Sequence, residues 1–121
     1  MPRKAVRKTP GRKSRAGWPP SRARLEELVA EAIVDAYDES EQRTGFFTMI
    51  ENNLALPFET EMLGVSVRVE RIEFTDANEI VAMCRRGAAR QRIAVLELPL
   101  PKPPPSGAEW IEAYRRWARS V

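Results

Sequence analysis

The chain has no histidine and a single cysteine, Cys84, in 121 residues. Without histidine there is no Ser-His or Cys-His catalytic pair and no Cys/His zinc site. One cysteine leaves no internal disulfide framework. No apolar run approaches the about 20 residues a membrane-spanning helix needs, and the basic N-terminus is not followed by an apolar signal segment. A soluble cytoplasmic protein without a membrane span is therefore expected. What remains, 43% apolar residues, is enough to build the core of one domain.

Acidic residues are missing from the start of the chain. Residues 1–24 hold nine Lys/Arg and no Asp or Glu, leaving 11 basic and 17 acidic residues in 25–121, a net charge of −6 beneath an overall +3. Residues 1–20 also lack apolar periodicity and repeat Pro and Gly, so they read as a disordered basic arm before a single domain over 21–121. Arg3, Lys4, Arg7, Lys8, Arg12, Lys13 and Arg15 are candidate contacts to nucleic acid or another anionic surface, which salt would weaken steeply. Trp18 is the arm's one residue able to stack on a base.

In the domain, Ser21 is a good N-cap for a helix whose apolar stripe runs through Leu25, Leu28, Val29, Ala32, Ile33, Ala36 and Tyr37. Asp38 and Glu41 have capping-box spacing and open a second helix, about Glu39 to Leu54, that buries Phe46, Met49, Ile50 and Leu54. Gly45 suits a close approach of the two helices. Alternation then marks strands in "FETEML" and "VSVRVERIEF", "TDAN" marks a turn, and "EIVAMCRR" and "RIAVLEL" flank a hairpin at "RRGAAR". "PLPKPPPSG" is a stiff connector to a last helix, about Ala108 to Arg119, with Trp110, Ile111, Tyr114, Trp117 and Ala118 on one face. The expected class is α+β: an N-terminal helical pair, a small curved antiparallel sheet or SH3-like barrel of about four or five strands, and a C-terminal helix.

Four carboxylates, Asp35, Asp38, Glu39 and Glu41, fall where the first two helices join, and Arg43 is the only base in 26–61 against ten acids. Asp38, Glu39 and Glu41 are explained as N-terminal acids of the second helix, favoured by its dipole. Asp35 is expected in the last turn of the first helix, where the dipole opposes it. Like charges held together favour a counter-cation, and Ca²⁺ suits several oxygens in loose geometry, including free carbonyls of Ala36 or Tyr37. The spacing is not that of an EF-hand: a loop begun at Asp35 has Tyr37, Ser40 and Phe46 at its third, sixth and twelfth positions. Spacing alone leaves capping and metal binding both open.

The stretch "IVDAYDESEQRTGFFTMIENNLALPFETEM" resembles the signature of the small cyanobacterial-type calcium-binding proteins, a non-EF-hand α/β family. The matching positions are Val34, Asp35, Tyr37, Glu41, Gln42, Gly45, Phe46, Phe47, Glu51, Leu54, Pro57 and Phe58. The likeness runs more weakly through the strands and the Trp-containing last helix, covering about 25–120. It implies calcium as the bound ion and a buffer or sensor role. It also implies a first metal site at Asp35, Asp38, Glu39 and Glu41, a weaker candidate in Glu51, and a second site at Asp76 and Glu79. This chain departs from the family in its basic arm, in Asn52 and Phe46, and in the arginines of its last helix, Arg115, Arg116 and Arg119. Paired carboxylates can do acid–base chemistry, but no cleft-building or substrate-positioning set accompanies them, and no enzymatic activity is expected.

Overall fold

The computed structural model describes residues 18–121. Ser21 caps helix α1 (Arg22–Ala32), its hydroxyl accepting from the Arg24 N–H at 3.0 Å. Leu28 and Ala32 are buried, with Leu25, Val29 and Ile33 packed beside them. The helix stops sooner than its stripe. Asp35 takes φ 64°, and the Ala36 N–H donates to the Ile33 carbonyl, so Val34 and Tyr37 turn out to solvent. Aspartate is among the few residues that tolerate the left-handed region, and here it ends the helical pattern. Asp35 is thus outside α1, and its expected conflict with the helix dipole does not arise.

Helix α2 (Glu39–Asn53) runs back across α1, burying Phe46 and Ile50. Gly45 sits against the Ala32 carbonyl, the close approach expected of it. Leu54 and Ala55 follow into the core, and the Ala55 N–H donates to Ser106 of the proline-rich connector.

Four strands, β1 (Phe58–Met62), β2 (Val65–Phe74), β3 (Ile80–Arg86) and β4 (Ala89–Ala94), form an antiparallel meander. Leu63–Gly64 joins β1 to β2 with both residues at positive φ, and Gly87–Ala88 joins β3 to β4 with the positive φ at glycine, the geometries of two-residue hairpins. β1 and β4 are both edges, so the sheet is open and the barrel alternative does not hold. "RIAVLEL" also differs from expectation: the strand ends at Ala94 and Val95–Glu97 form a 3₁₀ turn. Val95 and Leu98, three apart, both enter the core, a spacing that an alternating strand cannot provide.

Helix α3 (Glu109–Ser120) lays Trp110, Ile111, Tyr114 and Trp117 into the core. Phe46, Tyr114 and Trp117 meet with ring centroids 5.4–5.8 Å apart, each contact worth about 1 kcal/mol beyond burial. Two of the arginines that set this helix apart, Arg115 and Arg116, have structural partners. Arg116 pairs with Glu26 of α1 at 2.8 Å, and Arg115 donates to the carbonyls of Val95 and Leu98 while pairing with Glu112.

Candidate metal centre

The α1–α2 turn is organised by its own backbone. Asp38 accepts the Glu41 N–H at 2.8 Å through one carboxylate oxygen, and Glu41 reaches back to the Tyr37 N–H at 2.6 Å. This is the capping box anticipated from D-x-x-E, with the return bond one residue earlier than usual. Asp35, Asp38, Glu39 and Glu41 are all exposed. None of them forms an ion pair among the described residues. Arg43, the one base nearby in sequence, is engaged elsewhere: its guanidinium lies 5.1 Å from the centre of the Trp117 ring.

The β2–β3 turn is held by Thr75, whose hydroxyl accepts the N–H groups of Ala77 and Glu79 at 3.2 Å, while Asn78 adopts φ 66°. Asp76 and Glu79 project from it, exposed. The fold then does something sequence spacing gives no sign of. Ser40, at the start of α2, donates to the Asn78 side-chain oxygen at 3.4 Å across 38 residues. Phe47 stacks on Phe74 below them at 5.5 Å. The two acid-bearing turns, expected as separate sites, lie at one end of the sheet, and Ser40 and Asn78 join them.

Their carboxylates do not share a centre. Among the described residues no three His, Cys, Asp or Glu side chains come together as a group able to hold a metal. Convergence of Asp35, Asp38, Glu39 and Glu41 on one point, expected from sequence, is absent here because Asp38 and Glu41 serve the backbone of the turn and Asp35 belongs to a left-handed bend. The donors nonetheless have the chemistry of a hard-cation site. They are accessible oxygens without a fixed counter-charge, and a carboxylate that caps through one oxygen keeps the other. Glu51 lies on the later turns of α2, exposed, away from both acid-bearing turns.

Arg3, Lys4, Arg7, Lys8, Arg12, Lys13 and Arg15, the candidate nucleic-acid contacts, lie outside the described residues. Trp18, assigned to the arm as a stacking residue, packs half-buried against the core. No helix among the described residues is long and apolar enough to cross a membrane. Elsewhere the electrostatics are structural. Arg92 and Arg71 hold the Glu73 carboxyl below the usual carboxylate range, and burial pushes the Cys84 thiol up.

A family model described as calcium binding, of the CcbP type, matches residues 26–117. No curated protein and no solved structure matches the chain.

Proposed function

The chain belongs to the CcbP-type calcium-binding family, and from that premise we propose that calcium is taken up at the pole where the α1–α2 and β2–β3 turns meet, as a buffer or sensor. The observation that supports this reading is the hydrogen bond from Ser40 to Asn78, which joins the two acid-bearing turns at one end of the sheet. When bound, calcium supplies positive charge to several oxygens without demanding a fixed geometry. Asp35, Asp38, Glu39 and Glu41 are the principal ligands, with Asp76 and Glu79 completing the shell or forming a weaker second site. Asp38 and Glu41 contribute the oxygens not used in capping. Ser40 and Asn78 hold the turns in register and offer neutral oxygens.

Because the donors are not assembled beforehand, part of the binding free energy goes into ordering them. The dissociation constant is accordingly expected on the order of 10⁻⁵ M or weaker, beyond the tightest EF-hand buffers. Isothermal titration of the full chain with Ca²⁺ and Mg²⁺ tests the reading. Asp38→Asn and Glu41→Gln are the informative variants, since asparagine caps a helix about as well as aspartate and glutamine keeps the return bond. Each is expected to melt within about 0.5 kcal/mol of the native chain without calcium and to bind calcium at least about tenfold more weakly. Native calcium affinity in both variants removes the site from this pole.

A further inference from the structure

The opposite end of the sheet carries both two-residue hairpins and a groove that no helix covers. Register places Met62, Val65, Val67 and Ile93 on the face that α2 packs against, continuous with the buried Val69 and Ala82. The helical layer stops short, leaving these side chains around an open groove of roughly 480 Å³. A sheet face buries its apolar side against another element, so the overhang is an incomplete layer. Leu63 stands at its lip, fully exposed at φ 52° and followed by Gly64 at φ 79°. That type I′ turn favours Asn-Gly, so a leucine there is both strained and solvated.

Charge identifies what fits. Arg85, Arg86 and Arg90 border the groove and no carboxylate does; register puts Arg86 on the groove face and the opposed pair Arg85 and Arg90 on the reverse face at its edge. Arg85 is paired with Glu70 at 2.9 Å, whereas the Arg86 side chain has no ion pair or hydrogen bond among the described residues. An apolar floor with the unpaired Arg86 guanidinium at its rim complements a helix with an apolar stripe flanked by acids.

We propose that this end of the sheet is a docking surface for an acidic amphipathic helix of a partner protein, which continues the helical layer over Met62, Val65, Val67 and Ile93, buries Leu63, and pairs with Arg86. The surface lies at the far end of the sheet from the proposed calcium pole and does not depend on it.

The test uses the full chain and a fluorescein-labelled synthetic helical peptide with leucines at i, i+3, i+4 and i+7 flanked by glutamates. Two controls accompany it: the same stripe flanked by lysines, and the glutamate peptide with its leucines changed to serine. Fluorescence anisotropy is expected to show saturable binding of the leucine–glutamate peptide alone. Arg86→Glu is expected to weaken it at least about tenfold and to admit the lysine-flanked peptide. Leu63→Asn suits the turn better than leucine, so it is expected to melt at or above the native temperature yet bind at least about tenfold more weakly. Equal binding of all three peptides, binding of none, or native affinity in either variant overturns the proposal. So does self-association in sedimentation that Leu63→Asn abolishes, since a second copy then fills the groove.

Discussion

A methyl group added at Gly45 would lie 2.1 Å from the Ala32 carbonyl oxygen, a backbone atom that cannot swing aside. Gly45→Ala improves helix propensity in α2, but by only about 1 kcal/mol. Forcing α1 and α2 apart costs more, about 3 kcal/mol, because the overpacking is against main chain. A thermal melt is expected to fall by about 10 °C or more after that partial offset. A melting temperature equal to the native value would mean the helices separate freely. This contact was legible in the sequence, since a glycine inside an otherwise amphipathic helix needs a reason, and close approach is the commonest. Gly107 gave no such sign. It sits in a proline-rich connector, and only the fold brings it 2.1 Å, measured from an added Cβ, from the Asn53 carbonyl. Asp35 misled for a related cause: the apolar spacing beyond it continued the helix, while its own left-handed conformation ended it.

Elements were readable where one periodicity ruled and misread where two met. α2 and α3 each keep one pattern and fall close to their expected bounds, and β2 keeps its bounds although a bulge between Val69 and Arg71 shifts its alternation. The segment after Ile93 switches from a two-residue to a three-residue repeat, so a strand was expected where a 3₁₀ turn forms. That turn is fastened by Arg115, which is largely buried and donates to the carbonyls of Val95 and Leu98. Arg115→Met keeps the apolar stem, takes the donor from the Leu98 carbonyl and leaves the Val95 carbonyl only the Leu98 N–H, and is expected to cost about 2 kcal/mol in chemical denaturation. On the other face of the sheet, Glu73 bridges Arg71 at 2.6 Å and Arg92 at 3.0 Å. Its carboxyl titrates below the usual range because both guanidinium groups favour the charged form. The stability this gives is complete above the ordinary glutamate range and disappears as pH falls through the lowered value. Glu73→Gln is therefore expected to lower the melting temperature at neutral pH and to melt like the native chain in strong acid. Parallel pH–melting curves for the two proteins would rule this out.

At the scale of the whole molecule, the sheet separates two chemistries. Acidic turns gather at the β2–β3 end and unpaired arginines at the hairpin end, an arrangement invisible in a sequence where Ser40 and Asn78 are 38 residues apart. The acids themselves were legible, as was their resemblance to a calcium-binding signature. Their meeting with Asp76 and Glu79 was not, because it depends on how α2 crosses β2. The proposed calcium pole also touches α3: the Trp117 indole donates to Gln42 at 2.8 Å, and Gln42 directly follows Glu41 in the first turns of α2. Drawing the Glu41 carboxylate toward a cation strains that turn, and the Trp117 indole with its neighbouring Arg43 guanidinium is where the strain would be read. In a chain carrying Trp18→Phe and Trp110→Phe, calcium is expected to shift the emission of Trp117 with the midpoint found by calorimetry, and Gln42→Leu to reduce the shift. At a hundredfold excess over the dissociation constant, calcium should add about 2.7 kcal/mol of stability. A chain that gains this stability with no change in Trp117 emission stores the ion without passing a signal to α3, which makes it a buffer and eliminates the sensor role.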